Sequence, residues 1–315
     1  MIFRTAPSLH VRPDSSSNGD DGLRAQNGPA MAVRRTDQSS AVIVRGLSKS
    51  YGQLHAVREL DLDVDYGEIF AILGPNGAGK TTTIEILEGH RKRDSGHVRV
   101  LGEDPGTAGR SWRAKVGIVL QEASDAGMLT VFETVHMFAK CYGKARVPEE
   151  VLELVGLGAV SDSQVRTLSG GQRRRLDVAL GIINMPKLVF LDEPTTGFDP
   201  EARRHFWDLI RLLAGDGTTI LLTTHYLDEA AALADRVAVI AGGRVVAVDS
   251  PQHLIGYVSS AATVRWRQGD AIHVEETDHP TELIRQRSKD GAELAELTVS
   301  RPTLEDAYLH MIGLR

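Results

Sequence analysis

A lysine, a threonine, two adjacent carboxylates and a histidine each stand where an apolar run of this sequence gives way to polar residues. In IFAILGPNGAGKTTTIEILEG, residues 69–89, Gly74, Gly79, Lys80 and Thr81 have the spacing of a phosphate-binding loop set between a strand and a helix. Glycine lets the backbone curl until successive N–H groups face inward, and the helix that follows adds the positive end of its dipole. The residues Gly74, Pro75, Asn76, Gly77, Ala78, Gly79, Lys80, Thr81 and Thr82 are therefore expected to line the phosphates of a nucleotide. Lys80 is expected to reach the β and γ phosphates, and the Thr81 hydroxyl to ligate Mg2+.

The run KLVFLDEP, residues 187–194, ends an apolar strand with two carboxylates. Asp192 is placed to hold Mg2+ directly or through water, and Glu193 to orient or deprotonate an attacking water. His225 closes another apolar run, ILLTTHYLDEA. A lone histidine is more often structural. At a strand end of an open α/β sheet, where ligands gather, it is expected to touch the γ phosphate and to hold Glu193 and the water in line.

The elements that must carry these residues follow from periodicity. Apolar runs at 41–45, 69–73, 116–120, 187–191, 219–223 and 236–240 read as strands, and runs that are apolar throughout indicate a sheet covered on both faces. Segments 45–64 and 96–102 alternate polar and apolar positions, as antiparallel pieces do. Helical periodicity dominates 130–181, so a helical subdomain at about 122–182 is expected within the sheet order. Residues 1–40, rich in Ser, Asp and Gly, read as a disordered arm, with Met31 as an alternative start. Composition changes again after Ser250-Pro251, where 251–315 reads as a short α+β extension closed by a helix from Thr303, with Leu304, Ala307, Tyr308 and Met311 on one face.

A net charge of −6 gives no reason to expect nucleic acid as a partner, and the one cysteine, Cys141, rules out an internal disulfide. No stretch reaches the roughly 18 apolar residues that cross a bilayer, so any membrane role requires a partner that supplies the spanning segments.

The segment TLSGGQRRRLDVAL, residues 167–180, adds a family resemblance: LSGGQ, 168–172, resembles the signature sequence of ABC ATPases. Tyr51 in SKSYG resembles the aromatic residue on which adenine stacks, Gln121 the Q-loop glutamine near the metal, and TTGFDP, 195–200, the D-loop with Asp199; Phe198 stands where many members have Leu. The ordered set runs from about residue 42 to 254. Ser169, Gly170 and Gly171, with Gln172, begin a helix, which leaves free N–H groups and a hydroxyl for an anion. In the family that signature closes over the ATP of a second subunit. The resemblance therefore implies an α/β P-loop NTPase of ABC type: a mixed central sheet, an antiparallel β subdomain, an inserted helical subdomain and a small C-terminal extension. Residues 41–250 form the ATPase domain on this reading. It also implies a Mg-dependent ATPase, paired with itself or a related subunit, lying on the cytoplasmic face of the membrane through a separate permease.

Gln121 and the segment 129–142 are where that permease is expected to dock. Arg173, Arg174 and Arg175 read as a solvated helix face. EILEG at 85–89 and the ending RPTLEDAYLHMIG are similar to the bacterial drug-resistance group that includes daunorubicin exporters, which makes drugs or other small hydrophobic molecules the expected cargo. An importer, a lipid or polysaccharide exporter, or a non-transport ATPase uses the same chemistry.

Overall fold

The computed structural model describes residues 39–119, 127–257, 261–288 and 293–313. The N-terminal arm up to residue 38, with Met31, and Gln121 lie outside them.

Among the described residues, three sheets carry the fold. The first is antiparallel, with β1 (Ser40–Tyr51) between β2 (Leu54–Asp65) and β4 (Ser95–Val100). The central sheet has six strands. Its order is β5 (Val116–Val119), β6 (Leu188–Asp192), β7 (Thr219–Thr223), β3 (Ile69–Leu73), β8 (Arg236–Ala241) and β9 (Arg244–Asp249). Every neighbour in it is parallel except β9, which returns antiparallel on β8. The third sheet, β11-β10-β12, is antiparallel and lies in the C-terminal segment, with β10 (Ala262–Gln268), β11 (Ala271–Thr277) and β12 (Ala295–Ser300).

Because side chains alternate along a strand, the apolar central strands feed two cores. Ile69, Ala71, Leu73, Val189, Leu191, Ile220 and Leu222 face one side, while Phe70, Ile72, Leu188, Phe190 and Leu221 face the other. The second core is closed by α1 (Lys80–Leu87), the buried Trp112 of α2 (Arg110–Arg113) and the β1–β2–β4 sheet. The first is closed by the helices expected from the periodicity, α3 (Val131–Lys140), α4 (Pro148–Leu154) and α5 (Gly170–Ile182), together with α6 (Pro200–Gly215) and α7 (Leu227–Leu233). Covered on both faces, the sheet has the mixed α/β architecture expected from its apolar runs.

Past Ser250 the chain stays attached to the first core. Leu254 of α8 (Pro251–Gly256) and Leu304 of α10 (Leu304–Met311) are both buried there, with Tyr308 and Met311 packed against it. Thr303 caps α10 through a reciprocal pair with Asp306. Between these helices, α9 (Pro280–Arg287) and the third sheet bury Val264 and Trp266.

The helical layer approaches the sheet closely at β5. A Cβ on Gly117 would lie 2.0 Å from the carbonyl oxygen of Gly181 in α5. Overpacking of this kind costs about 1–3 kcal/mol. Gly117→Ala is therefore expected to lower the urea midpoint by a corresponding amount, and an unchanged midpoint would refute so close an approach.

Candidate functional site

The parallel strands bring the sequence-predicted groups to one edge. Ile72 of β3 pairs with Thr223 of β7, and Thr223 pairs with Asp192 of β6, so the three strands end level. From β3 the chain turns through Gly74 to Gly79 into α1, with Ala78 buried and Pro75, Asn76 and Gly77 exposed. Gly79, the N-cap residue of α1, holds φ 101°, and a Cβ there would sit 2.3 Å from the Ala56 carbonyl oxygen. Any larger residue would clash as well as adopt a conformation that L side chains avoid. Lys80, Thr81 and Thr82 form the first turn, where backbone N–H groups have no partner within the helix.

The Lys80 side chain is buried, and its Nζ donates to the carbonyls of Gly74 at 2.7 Å and Pro75 at 3.3 Å. Burial lowers the ammonium below the ordinary lysine range, while the nearby carboxylates of Glu193 and Asp192 act in the opposite sense. Asp192 is 8 % exposed and accepts a short hydrogen bond from the Thr223 hydroxyl. Glu193 leaves the strand with φ 46°, a conformation uncommon for a residue with a side chain. Its N–H is held by both the carbonyl and the hydroxyl of Thr223, each at 3.1 Å. Its carboxylate lies 3.3 Å from Nδ1 of the exposed His225, whose ring packs on Tyr226. Lys80, Asp192, Glu193 and His225 are thus one cluster, and Thr81 opens the helix beside it.

Tyr51 ends β1, 39 % exposed, and is braced by ion pairs. Lys49, whose ammonium is 5.6 Å from the ring centroid, pairs with Asp94 at 2.6 Å, and Asp94 also accepts from the Ser50 N–H at 2.7 Å. Arg91, 5.3 Å from the centroid, is held in a two-pronged contact by Glu85. Glu85 lies in the last turn of α1, and Arg91 and Asp94 come shortly after its end, so the phosphate loop and the aromatic ring are tied to one helix.

The signature residues are engaged differently. Ser169 caps α5: its hydroxyl accepts from the Gln172 N–H at 3.2 Å, and the Gln172 side chain accepts from the Ser169 N–H at 2.9 Å. Ser169 and Gly170 are exposed at that helix start, and Gly171 is half-buried. Asp199 caps α6, accepting from the Ala202 N–H at 2.8 Å, while Phe198 is buried edge-on to Phe206. The capping hydrogen bonds of Ser169, Gln172 and Asp199 are local, and none of them reaches the Lys80 cluster.

One sequence expectation fails. Arg174 is 8 % exposed and turned inward, so the three arginines are not a uniformly solvated face. Sequence reading also passed over Thr223 and Glu88. Thr223 was legible only as half of a Thr-Thr pair before His225. Glu88, the C-cap residue of α1, is 5 % exposed, and burial assisted by the charges of Asp192 and Glu85 pushes its carboxyl up to about 8.

A strand–loop–helix phosphate cradle, with a buried carboxylate at the end of a parallel strand one position removed in the same sheet, defines a P-loop nucleotide-binding fold. The comparisons narrow the class. The ABC transporter family model matches residues 57–196. The daunorubicin/doxorubicin resistance ATP-binding protein DrrA of Streptomyces peucetius is 46 % identical over 67 % of this chain and 66 % of its own length. DrrA3 of Streptomyces coeruleorubidus is 35 % identical over 87 % of this chain and 96 % of its own. A Nod factor export ATP-binding protein of Rhizobium etli is 34 % identical over 90 % and 98 %. A solved ATP-binding subunit of an ABC transporter superposes with a TM-score of 0.64 at 25 % identity, covering 69 % of this chain and 93 % of that one. The chain belongs to the ABC transporter family, among its ATP-binding subunits. No helix among the described residues is long and apolar enough to cross a membrane.

The Glu88 carboxyl binds its proton more tightly in the folded protein, at about 8, than at the ordinary 4.5. Stability from this group is full below the unfolded value and lost as pH rises through the folded one. In protein stripped of nucleotide and metal, the Tm of Glu88→Gln is expected to gain steadily on that of the parent between about pH 5 and pH 8. A constant difference across that range would refute the shift.

Proposed function

We propose that this chain hydrolyses ATP to drive a separate membrane permease that exports drugs or other small hydrophobic molecules, working as a dimer on the cytoplasmic face of the membrane. The observation that carries the reading is the cluster at one sheet edge, in which Lys80, Asp192, Glu193 and His225 meet beside an open helix N-terminus. The cargo class is supported by relatives named for daunorubicin and doxorubicin resistance and for Nod factor export.

The loop from Gly74 to Thr82 receives the phosphates on its N–H groups and on the start of α1. Lys80 moves from the loop carbonyls to the β and γ oxygens, and adenine stacks on the braced Tyr51 ring. Glu193 takes a proton from the attacking water as its oxygen bonds to the γ phosphorus, and ADP leaves with the bridging oxygen. His225, in contact with Glu193, holds the carboxylate and the γ phosphate in line.

The donors near the phosphates suit Mg2+, a hard cation that takes one or two protein ligands and several phosphate or water oxygens. Thr81 offers a hydroxyl, and Asp192 offers a buried carboxylate already oriented by Thr223. Gln121 is assigned to the same site from its motif alone. Bound there, Mg2+ would offset charge developing on the phosphate oxygens.

The Ser169–Gly171 helix start, exposed at Ser169 and Gly170, is assigned to the ATP of the second subunit, because its own cap leaves N–H groups free at that end of α5. Gln172 and Asp199, as caps, hold the signature and D-loop in shape for that contact. Permease docking at the Gln121 loop and residues 129–142 is supported by a groove of about 570 Å³ lined in part by Glu88, His90, Phe138, Tyr142, Asp177 and Asn184. The exposed Met128 and Met137 belong to the same region of chain.

Two measurements test this reading. Lys80→Ala and Ser169→Arg are each expected to abolish turnover, while an equal mixture recovers about a quarter of the parental rate, because statistical pairing leaves one intact composite site in half the dimers. A mixture as inactive as its components would refute the shared site. Glu193→Gln is expected to bind ATP normally, lose roughly 10²–10⁴-fold in turnover and accumulate as a closed dimer. Parental turnover would remove Glu193 as the base.

A further inference from the structure

The three arginines after Gln172 separate in the structure. Arg173 donates to the Val165 carbonyl at 3.3 Å and Arg175 to that of Gly156 at 2.8 Å, so both stay within the helical layer. Arg174 reaches out of it. Its Nη2 donates to the carbonyls of Asp192 at 2.6 Å and Glu193 at 3.3 Å, and its Nε to that of Pro194 at 3.2 Å. Three consecutive carbonyls at the end of β6 are therefore gripped by one buried guanidinium that belongs to the signature helix.

The geometry is demanding. A guanidinium presents five N–H donors in a rigid fork, whereas a lysine ammonium is a point charge on a flexible stem. Burying such a charge is costly unless several acceptors face it, and carbonyl oxygens fulfil that need here. The held segment is also the one with unusual backbone, since Glu193 has φ 46°. Sparsely populated conformations persist only where their surroundings over-determine them. Glu193 meets that condition from two sides: its N–H is fixed by Thr223 of β7 and its C=O by Arg174 of α5.

We propose that Arg174 is a positioning residue for hydrolysis, holding the Glu193 peptide from the signature helix so that the aim of the Glu193 carboxylate follows the position of α5. The N–H anchor belongs to the sheet and the C=O anchor to the helical layer. A shift of α5 against β6 therefore turns the peptide that carries the carboxylate. The start of that helix is the surface assigned above to the second subunit's ATP, so each chain has a direct route from the site it completes to the site it contains. The proposal rests on the assignment of Glu193 as the base.

The test uses the full chain with Arg174→Gln, Arg174→Lys and Arg174→Ala, each rate normalised to ATP bound per chain and each Tm recorded. Arg174→Gln and Arg174→Ala are expected to lose roughly ten- to a hundredfold in kcat while KM for ATP stays within about twofold, the signature of a base displaced by a fraction of an ångström. Arg174→Lys, which keeps the charge and loses the fork, is expected to fall between them and the parent. Added guanidinium ion is expected to restore part of the Arg174→Ala rate, and ammonium ion is not. A merely structural role would lower the amount of ATP-binding protein, leave kcat per bound ATP unchanged and give no selective rescue, and that result would overturn the proposal. Parental kcat in all three variants would do the same, provided Glu193→Gln is stalled. Parental turnover in Glu193→Gln would instead remove the base assignment on which the proposal stands.

Discussion

The register between β3, β7 and β6 is the constraint from which the site follows. Parallel pairing sets Ile72 opposite Thr223 and Thr223 opposite Asp192, so the three chains leave the sheet side by side. Each strand is buried on both faces, and slipping one by a single residue would move its apolar side chains from one core to the other. The packing that fixes register therefore also fixes the distances among the phosphate loop, the Asp192–Glu193 pair and His225. The loops beyond the strand ends therefore start from points that the sheet holds in place.

What the sequence made legible reflects the same physics. Apolar runs without alternation announce a doubly covered sheet, and glycine, lysine and threonine after such a run announce a helix that begins at a phosphate. The helical layer was legible because Val131 and Val135, and again Val151 and Val155, recur at helical spacing, and all are buried. Arg174 was not legible. In a run of three arginines nothing local distinguishes the one that faces the sheet, and its partners are backbone carbonyls, which carry no residue identity. Glu88 was hidden for a related reason: it closes a motif recognised as a string, while part of the upward push on its carboxyl comes from the charge of Asp192, over a hundred positions further along the chain. In the C-terminal sheet only β10 alternates cleanly, β11 and β12 are exposed along much of their length, and Glu296 breaks the register with φ 52°. Such strands give a faint period.

The motif resemblance and the geometry also divide the site residues into two kinds. Lys80, Asp192, Glu193 and His225 interact with one another within the chain. Ser169, Gln172 and Asp199 interact locally, as caps, and present helix starts outward. A cap satisfies some of the N–H groups at the start of a helix and leaves others facing solvent. On the proposed function, residues of the first kind hold and attack a phosphate, and those of the second kind face a second chain.

Charge placement sharpens that division. Asp192, Glu88 and Lys80 lie under the sheet edge, where low polarity strengthens every interaction and penalises any charge without a partner. Burial raises Glu88 and lowers Lys80, both toward neutrality, while Asp192 is held by the Thr223 hydroxyl. Arg174 buries a further permanent positive charge behind the same strand end, where it faces carbonyl dipoles. The strand end thus lies between a cation that is fixed to the helical layer and a lysine at the phosphate loop. Its carboxylates are held by electrostatics from two bodies of the protein, and a change in how those bodies meet must be felt at Glu193.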